Sequence, residues 1–443
     1  MLHSLLFRHS SLLTRACSNG RTLSTSPAST SVGCVPTTHS SAVSKLAFFN
    51  SVTGDGSKIP NYRVLDTLGV PVEGAEVPKI SKQFARQLYE NMQLLPTLDD
   101  ILCSGQRQGR IPFYATSYGE EATVIGSAAA LADDDEVLCR TKFCVIYVFA
   151  NSATAQYRET GVLLWRGFTL DGIMAQAFGN HEDSSKGRQI GVHYSSKQHH
   201  FHTISSPLAT QIPQVAGVGF ALKRDPARRS KNVACVFFGE GAASEGDFHA
   251  GMLLASTLPS PTLLLARNNG FAISTPNSQQ FHGDGISARG PGYGMDTVRV
   301  DGNDVLAVMN AVKEARKRVS HHSTSDDSYV YRERQEVEDR KKNDNPITRF
   351  RLFMESRGWW NETDEEELAS RLRRDVIKAF KRAETIKKPR LEDMFTDVYA
   401  EEPWNIKEQQ EELVALLKKY EKVWEPWQNE LGDLKDGGKK LSD

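Results

Sequence analysis

Two short apolar segments with a helical segment between them limit the folds that this chain can adopt. The stretches "NVACVFF" and "TLLLARN" are apolar at consecutive positions, as strands buried on both faces are. Between them, "FHAGMLLASTL" has the length of a helix of about three turns. Strand, helix and strand in this order predict a βαβ unit, and therefore a parallel sheet with a right-handed crossover.

Polar residues follow both predicted strands. Glu240 lies between Gly239 and Gly241 after the first strand, and an Arg-Asn-Asn triplet at residues 267–269 ends the second. Because parallel strands end at one edge of a sheet, where open α/β sheets bind ligands, these residues should lie close together. The helix that follows directs its N–H groups and positive dipole end at an anion such as a diphosphate.

The oxygen atoms at this edge predict a magnesium site. Mg²⁺ is usually held by one or two protein oxygens together with substrate phosphates. Glu240 supplies a carboxylate and Asn269 an amide oxygen, and a main-chain carbonyl near Gly270 can add a third. The alternative is that Glu240 caps a helix and the asparagines form an ordinary turn. The coincidence of both features at one edge favours the ligand site.

Helical periodicity surrounds this unit. The stretch "SKQFARQLYENMQLLPTLDDILCSGQRQGR" predicts a helix followed by a turn, and "EEATVIGSAAAL" and "VLLWRGFTLDGIMAQAFG" predict one helix each. "SSPLATQIPQVAGVGFALKR" predicts a further helix, with Ser206 as N-cap and Pro207 at the first helical position. The alternation indicates an α/β fold.

Composition excludes several classes of protein. The 443 residues include 54 lysines and arginines against 55 aspartates and glutamates, a balance that does not indicate a nucleic-acid partner. The apolar run "FCVIYVFA" is far shorter than the roughly 20 residues that span a bilayer. Six cysteines without a CxxC pair argue against a disulfide framework or a zinc site.

The N-terminal stretch differs from the rest of the chain. It carries Arg8, Arg15 and Arg21, many serines, and no acidic residue before Asp55. This composition is typical of an organelle transit peptide, here interpreted as mitochondrial, and it lacks the apolar core of a secretory signal. The alternative is a disordered tail.

The motif around Glu240 and Asn269 resembles the signature of thiamine diphosphate enzymes. "GEGAASEGD", "RNNGFAIST", "TISSPLATQIPQ" and "HHSTSDDS" are similar to the alpha subunits of the branched-chain 2-oxo acid dehydrogenases, and the similarity covers most of residues 55–425. The resemblance implies the thiamine diphosphate-binding α/β fold, a parallel sheet flanked by helices with a helical C-terminal extension. We divide the chain accordingly into a transit peptide at 1–45, an N-terminal arm and helix at 46–110, the cofactor-binding domain at 111–345 and a helical region at 346–443.

The resemblance also implies site residues. The cofactor-binding set is Tyr157, Arg158, Ser206, Leu208, Glu240, Gly241, Ala242, Arg267, Asn269 and His322. The magnesium ligands are Glu240, Asn269 and the main-chain oxygen of Phe271, where the family has tyrosine. The potassium ligands are Ser205, Pro207, Thr210 and Gln211. His322 would be catalytic, in proton transfer, and Ser323 would be a phosphorylation site.

Several of these residues also have interpretations that involve no ligand. Arg158 and Arg267 offer planar forks that suit phosphate oxygens, but each could instead form a surface ion pair. Four histidines in "VHYSSKQHHFHT" suggest a metal cluster, yet no acid or cysteine in that stretch completes it, which favours surface or core histidines. The segment around His322 could be an acidic loop with incidental histidines.

The function that the resemblance implies is oxidative decarboxylation of branched-chain 2-oxo acids in the mitochondrial matrix, with acyl transfer to lipoamide. The cofactors would be thiamine diphosphate, Mg²⁺ and K⁺. The partners would be a beta subunit, in an assembly of two alpha and two beta chains, a lipoyl-bearing acyltransferase core, and a regulatory kinase and phosphatase; no nucleic acid or membrane is expected. The alternatives are a pyruvate dehydrogenase alpha subunit, which typically carries a "GHSMSD"-like loop, and a non-catalytic assembly or regulatory subunit.

Two departures from the family pattern affect the expected sheet. The stretch "CRTKFCVIYVFANSATA", of strand-like apolar character, is interposed between "DDDEV" and "QYRETG". In addition, "NAVKEARKRV" runs directly into "SHHSTSDD", where both the family and the β-α alternation require a further buried strand. The loss of that strand predicts exposed apolar surface and a displaced His322. Both departures favour a defective splice product over a paralogue of altered geometry.

Overall fold

The structure is a computed structural model that describes residues 41–49, 58–138, 144–149, 158–229, 231–258, 260–272, 275–281, 283–321 and 344–427. The strands are β1 (Ala42–Val43), β2 (Asn61–Tyr62), β3 (Glu136–Leu138), β4 (Cys144–Phe149), β5 (Ala234–Gly239), β6 (Thr262–Asn268), β7 (Phe271–Ala272), β8 (Thr275–Pro276) and β9 (Thr297–Asp301). Most of the predicted transit peptide lies outside the described residues.

Helices surround these strands. In the main domain they are α1 (Lys82–Arg107), α2 (Glu121–Ala130), α3 (Thr160–Trp165), α4 (Leu170–Phe178), α5 (Gln211–Arg224), α6 (Glu240–Ala243), α7 (Gly246–Thr257), α8 (Asn277–Gln280), α9 (Arg289–Gly292) and α10 (Val305–His321). Toward the C-terminus they are α11 (Pro346–Ser356), α12 (Glu362–Thr385), α13 (Trp404–Lys419) and α14 (Glu421–Trp424), with short 3-10 turns at Leu391–Met394 and Glu425–Trp427. Among the described residues, no helix combines the length and apolar character needed to cross a membrane.

Seven strands form one parallel sheet in the order β1-β2-β9-β4-β6-β5-β3. The predicted βαβ unit is confirmed as β5, α7 and β6, with Ala234 opposite Thr262 and Gly239 opposite Arg267. A second, small antiparallel pair joins β7 and β8. The predicted α/β architecture is therefore present, and the carboxyl ends of β5 and β6 meet at one edge of the sheet.

Both faces of the sheet are covered, which explains the unbroken apolar runs. Along β5, Cys235 and Phe237 enter an apolar cluster on one face, while Val236 and Phe238 enter a second cluster on the other. Side chains alternate between the two faces of a strand, so a strand covered on both sides needs apolar residues at every position. The first cluster lies under α1, α2 and α10, and the second lies under α5 and α7.

The interposed segment supplies a central strand. Strand β4 lies within "CRTKFCVIYVFANSATA" and pairs in parallel with β6 on one side and β9 on the other, with Ile146 opposite both Leu265 and Val298. The expected open gap in the sheet is therefore absent between β6 and β9. The strand expected after α10 does not occur in the described part of that region, where the helix runs to His321. His322 lies outside the described residues.

Two details of the predicted helices are wrong. The helix predicted over "VLLWRGFTLDGIMAQAFG" is two helices, because Gly167 takes a φ of 91° and Thr169 begins α4 by accepting a hydrogen bond from Gly172 N–H. Helix α5 begins at Gln211, with Thr210 rather than Ser206 as its N-cap. Ala209 has a positive φ of 63°, which is not a helical conformation, so Ser206 and Pro207 lie in a turn before the helix.

The C-terminal region is helical as predicted. Helix α12 follows an N-cap at Asn361 and buries Leu372, Val376 and Phe380 in the first apolar cluster, against α1 and α4. On α13, Leu417 is buried, whereas Leu416 and the following Tyr420 are exposed.

Candidate cofactor and metal site

The site is built at the carboxyl edge of β5 and β6. The register that sets Gly239 opposite Arg267 brings Glu240 and Asn269 to neighbouring strand ends. Glu240 is 3% exposed and Asn269 is 9% exposed. A carboxylate and an amide oxygen in this setting form a donor set suited to a magnesium ion that also binds phosphate oxygens.

The turn after β6 separates the roles of the two asparagines. The Asn268 side-chain oxygen accepts hydrogen bonds from Gly270 N–H, at 2.7 Å, and from the Asn277 side-chain amide, at 2.8 Å. Gly270 has a φ of 91°, a conformation that favours glycine. Asn268 therefore shapes the turn that carries Asn269.

Gly241 packs closely against the β7–β8 hairpin. A Cβ at this position would lie 3.0 Å from the Cβ of Ala272, which belongs to the β7–β8 hairpin. Ala242 is fully buried in the second apolar cluster. The short helix α6 therefore lies against the hairpin, and its backbone is held at the edge where a diphosphate would approach.

The two candidate phosphate-binding arginines form a buried network instead of the surface ion pairs considered above. Arg267 donates to the carboxylates of both Glu120 and Glu159, and Arg158 lies 3.6 Å from the same Glu120 carboxylate. All four side chains are at most 4% exposed. The network holds two guanidinium groups at the sheet edge, and its two carboxylates balance their charge.

Two further buried carboxylates lie beside this network. Burial raises the pKa of Glu121 to about 7, although Gly119 N–H donates to its carboxylate at 2.9 Å. Burial also raises the pKa of Asp99 to about 6, against the hydrogen bonds that it accepts from Tyr114 and from Ser117 N–H. Both groups are therefore harder to ionise than exposed carboxyl groups.

Three candidate potassium ligands, Ser205, Pro207 and Thr210, lie in the turn before α5, and the fourth, Gln211, is the first residue of the helix. Ser205 Oγ lies 3.1 Å from Thr210 Oγ1, and Thr210 Oγ1 donates to the main-chain oxygen of Pro207 at 3.2 Å. The amide of Gln211 donates to Thr203 O at 2.5 Å. Hydroxyl and carbonyl oxygens gathered in this way fit a hard cation.

The remaining predicted residues are placed as follows. Ser206 and Leu208 are exposed on the turn before α5, and the Phe271 backbone is paired with Pro276 in the hairpin. Tyr157, His322 and Ser323, which include the predicted catalytic and phosphorylated positions, lie outside the described residues.

The histidine-rich stretch forms no metal cluster among the described residues. An acid from another element does face these histidines, because Glu136 from β3 accepts hydrogen bonds from His200 and His202, both at 3.1 Å. Arg228 also donates to this carboxylate, at 2.7 Å. Burial opposes the charge of Glu136, but these three donors lower its pKa to about 2, as expected for a structural ion pair.

Sequence reasoning missed the carboxylate partners of the arginines. Glu159 directly follows Arg158, and Glu120 stands in "YGEEATVIGSAAAL", so both lay within motifs already singled out. Nothing in their spacing shows that two distant glutamates share Arg267, because that contact depends on how α2 and α3 pack against β6.

Comparisons with known proteins show similarity to one family. The family model described as "Dehydrogenase E1 component" matches residues 89–392. The mitochondrial 2-oxoisovalerate dehydrogenase subunit alpha of Homo sapiens is 48% identical over 396 residues, which cover 85% of this chain and 84% of the relative. The corresponding protein of Caenorhabditis elegans is 45% identical over 381 residues, covering 83% and 84%, and subunit alpha 1 of Arabidopsis thaliana is 46% identical over 386 residues, covering 83% and 78%.

Proposed function

This chain belongs to the dehydrogenase E1 component family, and from that premise we propose that it is the alpha subunit of a mitochondrial branched-chain 2-oxo acid dehydrogenase. The activity is thiamine diphosphate-dependent oxidative decarboxylation of a branched-chain 2-oxo acid, with acyl transfer to lipoamide. The observation that carries the proposal is the shared edge of β5 and β6, where Glu240 and Asn269 lie at neighbouring strand ends.

The chain's own residues would bind and orient the cofactor. Arg158 and Arg267 would contact the diphosphate oxygens, Gly241 and Ala242 would let the backbone approach them, and Ser206 would add a hydroxyl. Thiamine diphosphate, when bound, supplies the nucleophilic carbon and the electron sink for decarboxylation. The buried network of arginines and glutamates holds the guanidinium groups in place before the cofactor arrives, which lowers the ordering cost of binding.

Two metal ions complete the proposed site. Glu240, Asn269 and the main-chain oxygen of Phe271 would hold Mg²⁺, and Ser205, Pro207, Thr210 and Gln211 would hold K⁺. The magnesium assignment is supported by the oxygen ligands at one buried edge. The potassium assignment is supported by the 3.1 Å approach of Ser205 Oγ to Thr210 Oγ1.

The assembly partners follow from the alpha-subunit assignment. A beta subunit, in a tetramer of two alpha and two beta chains, would complete each active site, and a lipoyl-bearing acyltransferase would accept the acyl group in the matrix. His322 would transfer protons. Phosphorylation of Ser323 by a kinase would bring nearly two negative charges to an already acidic segment, which would disorder that loop and block the site. A phosphatase would reverse this effect.

The test is turnover by the chain co-produced with a beta subunit. We expect CO₂ release from 2-oxoisovalerate that requires both thiamine diphosphate and Mg²⁺, with pyruvate a much poorer substrate. Glu240→Gln removes the anionic magnesium ligand with little change in shape and should raise the Mg²⁺ requirement at least tenfold. The matched control is Glu411→Gln on the exposed face of α13, which should leave that requirement unchanged.

The same experiment separates the alternatives. Preference for pyruvate would favour a pyruvate dehydrogenase alpha subunit. A stable complex with the beta subunit and no cofactor-dependent turnover would favour a non-catalytic assembly or regulatory subunit.

A further inference from the structure

The loop between α4 and α5 contains a strained residue that is held from two sides. Val192 has a φ of 62°, a conformation that β-branched residues rarely adopt. The Gln176 side chain accepts from Val192 N–H at 3.0 Å and donates to Ile190 O at 2.8 Å. The Gly191 backbone is pressed against Phe113, because an added Cβ would lie 2.3 Å from Phe113 O. Strain that the surroundings maintain in this way is common at functional sites.

The next residue, His193, is buried and spans from this loop to the candidate cofactor-binding turn. Its Nδ1 lies 3.0 Å from Gly191 O, and its Nε2 lies 2.7 Å from Ser206 Oγ. A carbonyl oxygen only accepts, so in the neutral imidazole Nδ1 carries the proton and Nε2 accepts the Ser206 hydroxyl proton. A backbone hydrogen bond from Ile204 N–H to Tyr194 O, at 3.2 Å, ties the two segments together.

We propose that His193 is a positioning residue that fixes the hydroxyl of Ser206 for cofactor binding. With its proton held by Nε2, Ser206 Oγ presents lone pairs and accepts a hydrogen bond from a donor on the bound cofactor. The strained backbone at Val192 positions the imidazole ring relative to Ser206. The Gly191 carbonyl fixes Nδ1 as the nitrogen that carries the proton. This inference rests on the proposed function, in which Ser206 contacts thiamine diphosphate.

A matched pair of substitutions isolates the accepting nitrogen. His193→Asn places an amide N–H near the Nδ1 position and has no acceptor at the Nε2 position. His193→Gln places an amide oxygen near Nε2. Each is made with and without Ser206→Ala in the chain co-produced with a beta subunit. Calorimetry then measures the thiamine diphosphate Kd at saturating Mg²⁺, alongside kcat and the thermal midpoint without cofactor.

We expect His193→Asn and Ser206→Ala each to raise the cofactor Kd about fivefold, the worth of one hydrogen bond. Combining them should raise it no further, because the histidine acts through the serine. His193→Gln should restore at least half of the lost affinity. Thermal midpoints without cofactor should order the variants differently from their Kd values.

Several results would overturn the inference. These are additive effects in the double variant, equal Kd values for the Asn and Gln variants, or an unchanged Kd for Ser206→Ala. If His193→Asn does not fold, an affinity for His193→Gln as weak as that of Ser206→Ala also overturns it. Failure of the unsubstituted complex to bind thiamine diphosphate at all is a different outcome, since it removes the proposed function itself.

Discussion

At the scale of single residues, the main feature of the candidate site is a group of buried charged side chains. Two arginines and two glutamates lie almost fully inside the protein, and one carboxylate, that of Glu120, serves both guanidinium groups. A buried charge without a partner is costly, so these residues depend on one another before any ligand arrives. Binding of an anionic diphosphate changes that balance.

Neutralising Glu120 should therefore have opposite effects on the free and the cofactor-bound chain. We expect Glu120→Gln to destabilise the cofactor-free chain by about 2 kcal/mol, because a hydrogen bond to a charged group is weakened. Thiamine diphosphate with Mg²⁺ should then stabilise the variant more than it stabilises the original chain. Thermal midpoints with and without cofactor measure both effects.

The control for this prediction is Glu182→Gln, which removes a carboxylate from an exposed pair with Arg382. Exposed ion pairs contribute little, so both midpoints should stay where they are. An equal cofactor-induced shift in Glu120→Gln and the original chain would show that Glu120 does not restrain the arginines.

Glu121 should make stability fall as the pH rises. Burial raises its pKa from the ordinary 4.5 to about 7, so between these values the folded chain holds a proton that the unfolded chain has released. The stability that this proton gives the folded chain is fully present below pH 4.5 and is lost as the pH approaches 7. At about 1.4 kcal/mol for each pH unit, the loss is roughly 3 kcal/mol.

Denaturant midpoints at pH 5 and pH 8 test this sign. Glu121→Gln stays neutral throughout, so it should lose less stability than the original chain over this interval. Glu411→Gln, on an exposed surface, should follow the original chain. If Glu121→Gln and the original chain lose the same stability, another group controls the pH dependence.

At the scale of elements, the local sequence pattern predicts which segments are strands, and long-range pairing fixes where each strand lies in the sheet. The runs that became β5 and β6 are apolar at consecutive positions, and this property follows from burial on both faces, whatever their neighbours are. The position of β4 does not follow in this way. Its residues indicated a strand, but only pairing with β6 and β9 puts it in the centre of the sheet.

A proline in β4 tests that position. We expect Ile146→Pro to destabilise the chain by about 3 kcal/mol or more, because proline removes a ladder N–H and is excluded from central strands. Ile146→Val keeps the backbone pairing and should cost far less. Similar thermal midpoints for the two variants would mean that the interposed segment does not complete the sheet.

At the scale of the whole molecule, the described fold begins close to residue 41. Ser41 O accepts from Asn61 N–H at 3.0 Å, and Phe49 exchanges two backbone hydrogen bonds of 2.9 Å with Thr297. The short arm at residues 41–49 therefore extends the sheet beyond β9 through β2. The predicted leader precedes this arm, apart from the few residues that overlap β1.

Two truncations test the contribution of this arm. Deletion of residues 1–40 keeps β1 and both hydrogen bonds to Thr297, so it is the reference for a longer deletion. Deletion of residues 1–49 removes β1 and both bonds to Thr297, and should lower the midpoint by several degrees, since about 1 kcal/mol shifts a midpoint by about 2–4 °C in a large domain. Equal midpoints for the two truncations would show that the arm adds no stability.

From the sequence alone came the βαβ unit, the shared strand edge that carries Glu240 and Asn269, and the long helix α1. These depend on periodicity and on the rule that parallel strands end together, both of which are local properties of the chain. Packing between elements placed β4 at the centre of the sheet and Ser206 in the turn before α5. It also made Glu120 and Glu159 share Arg267 and brought His193 to Ser206. Such contacts join residues from separate elements, and their partners depend on how whole elements pack, which no local pattern encodes.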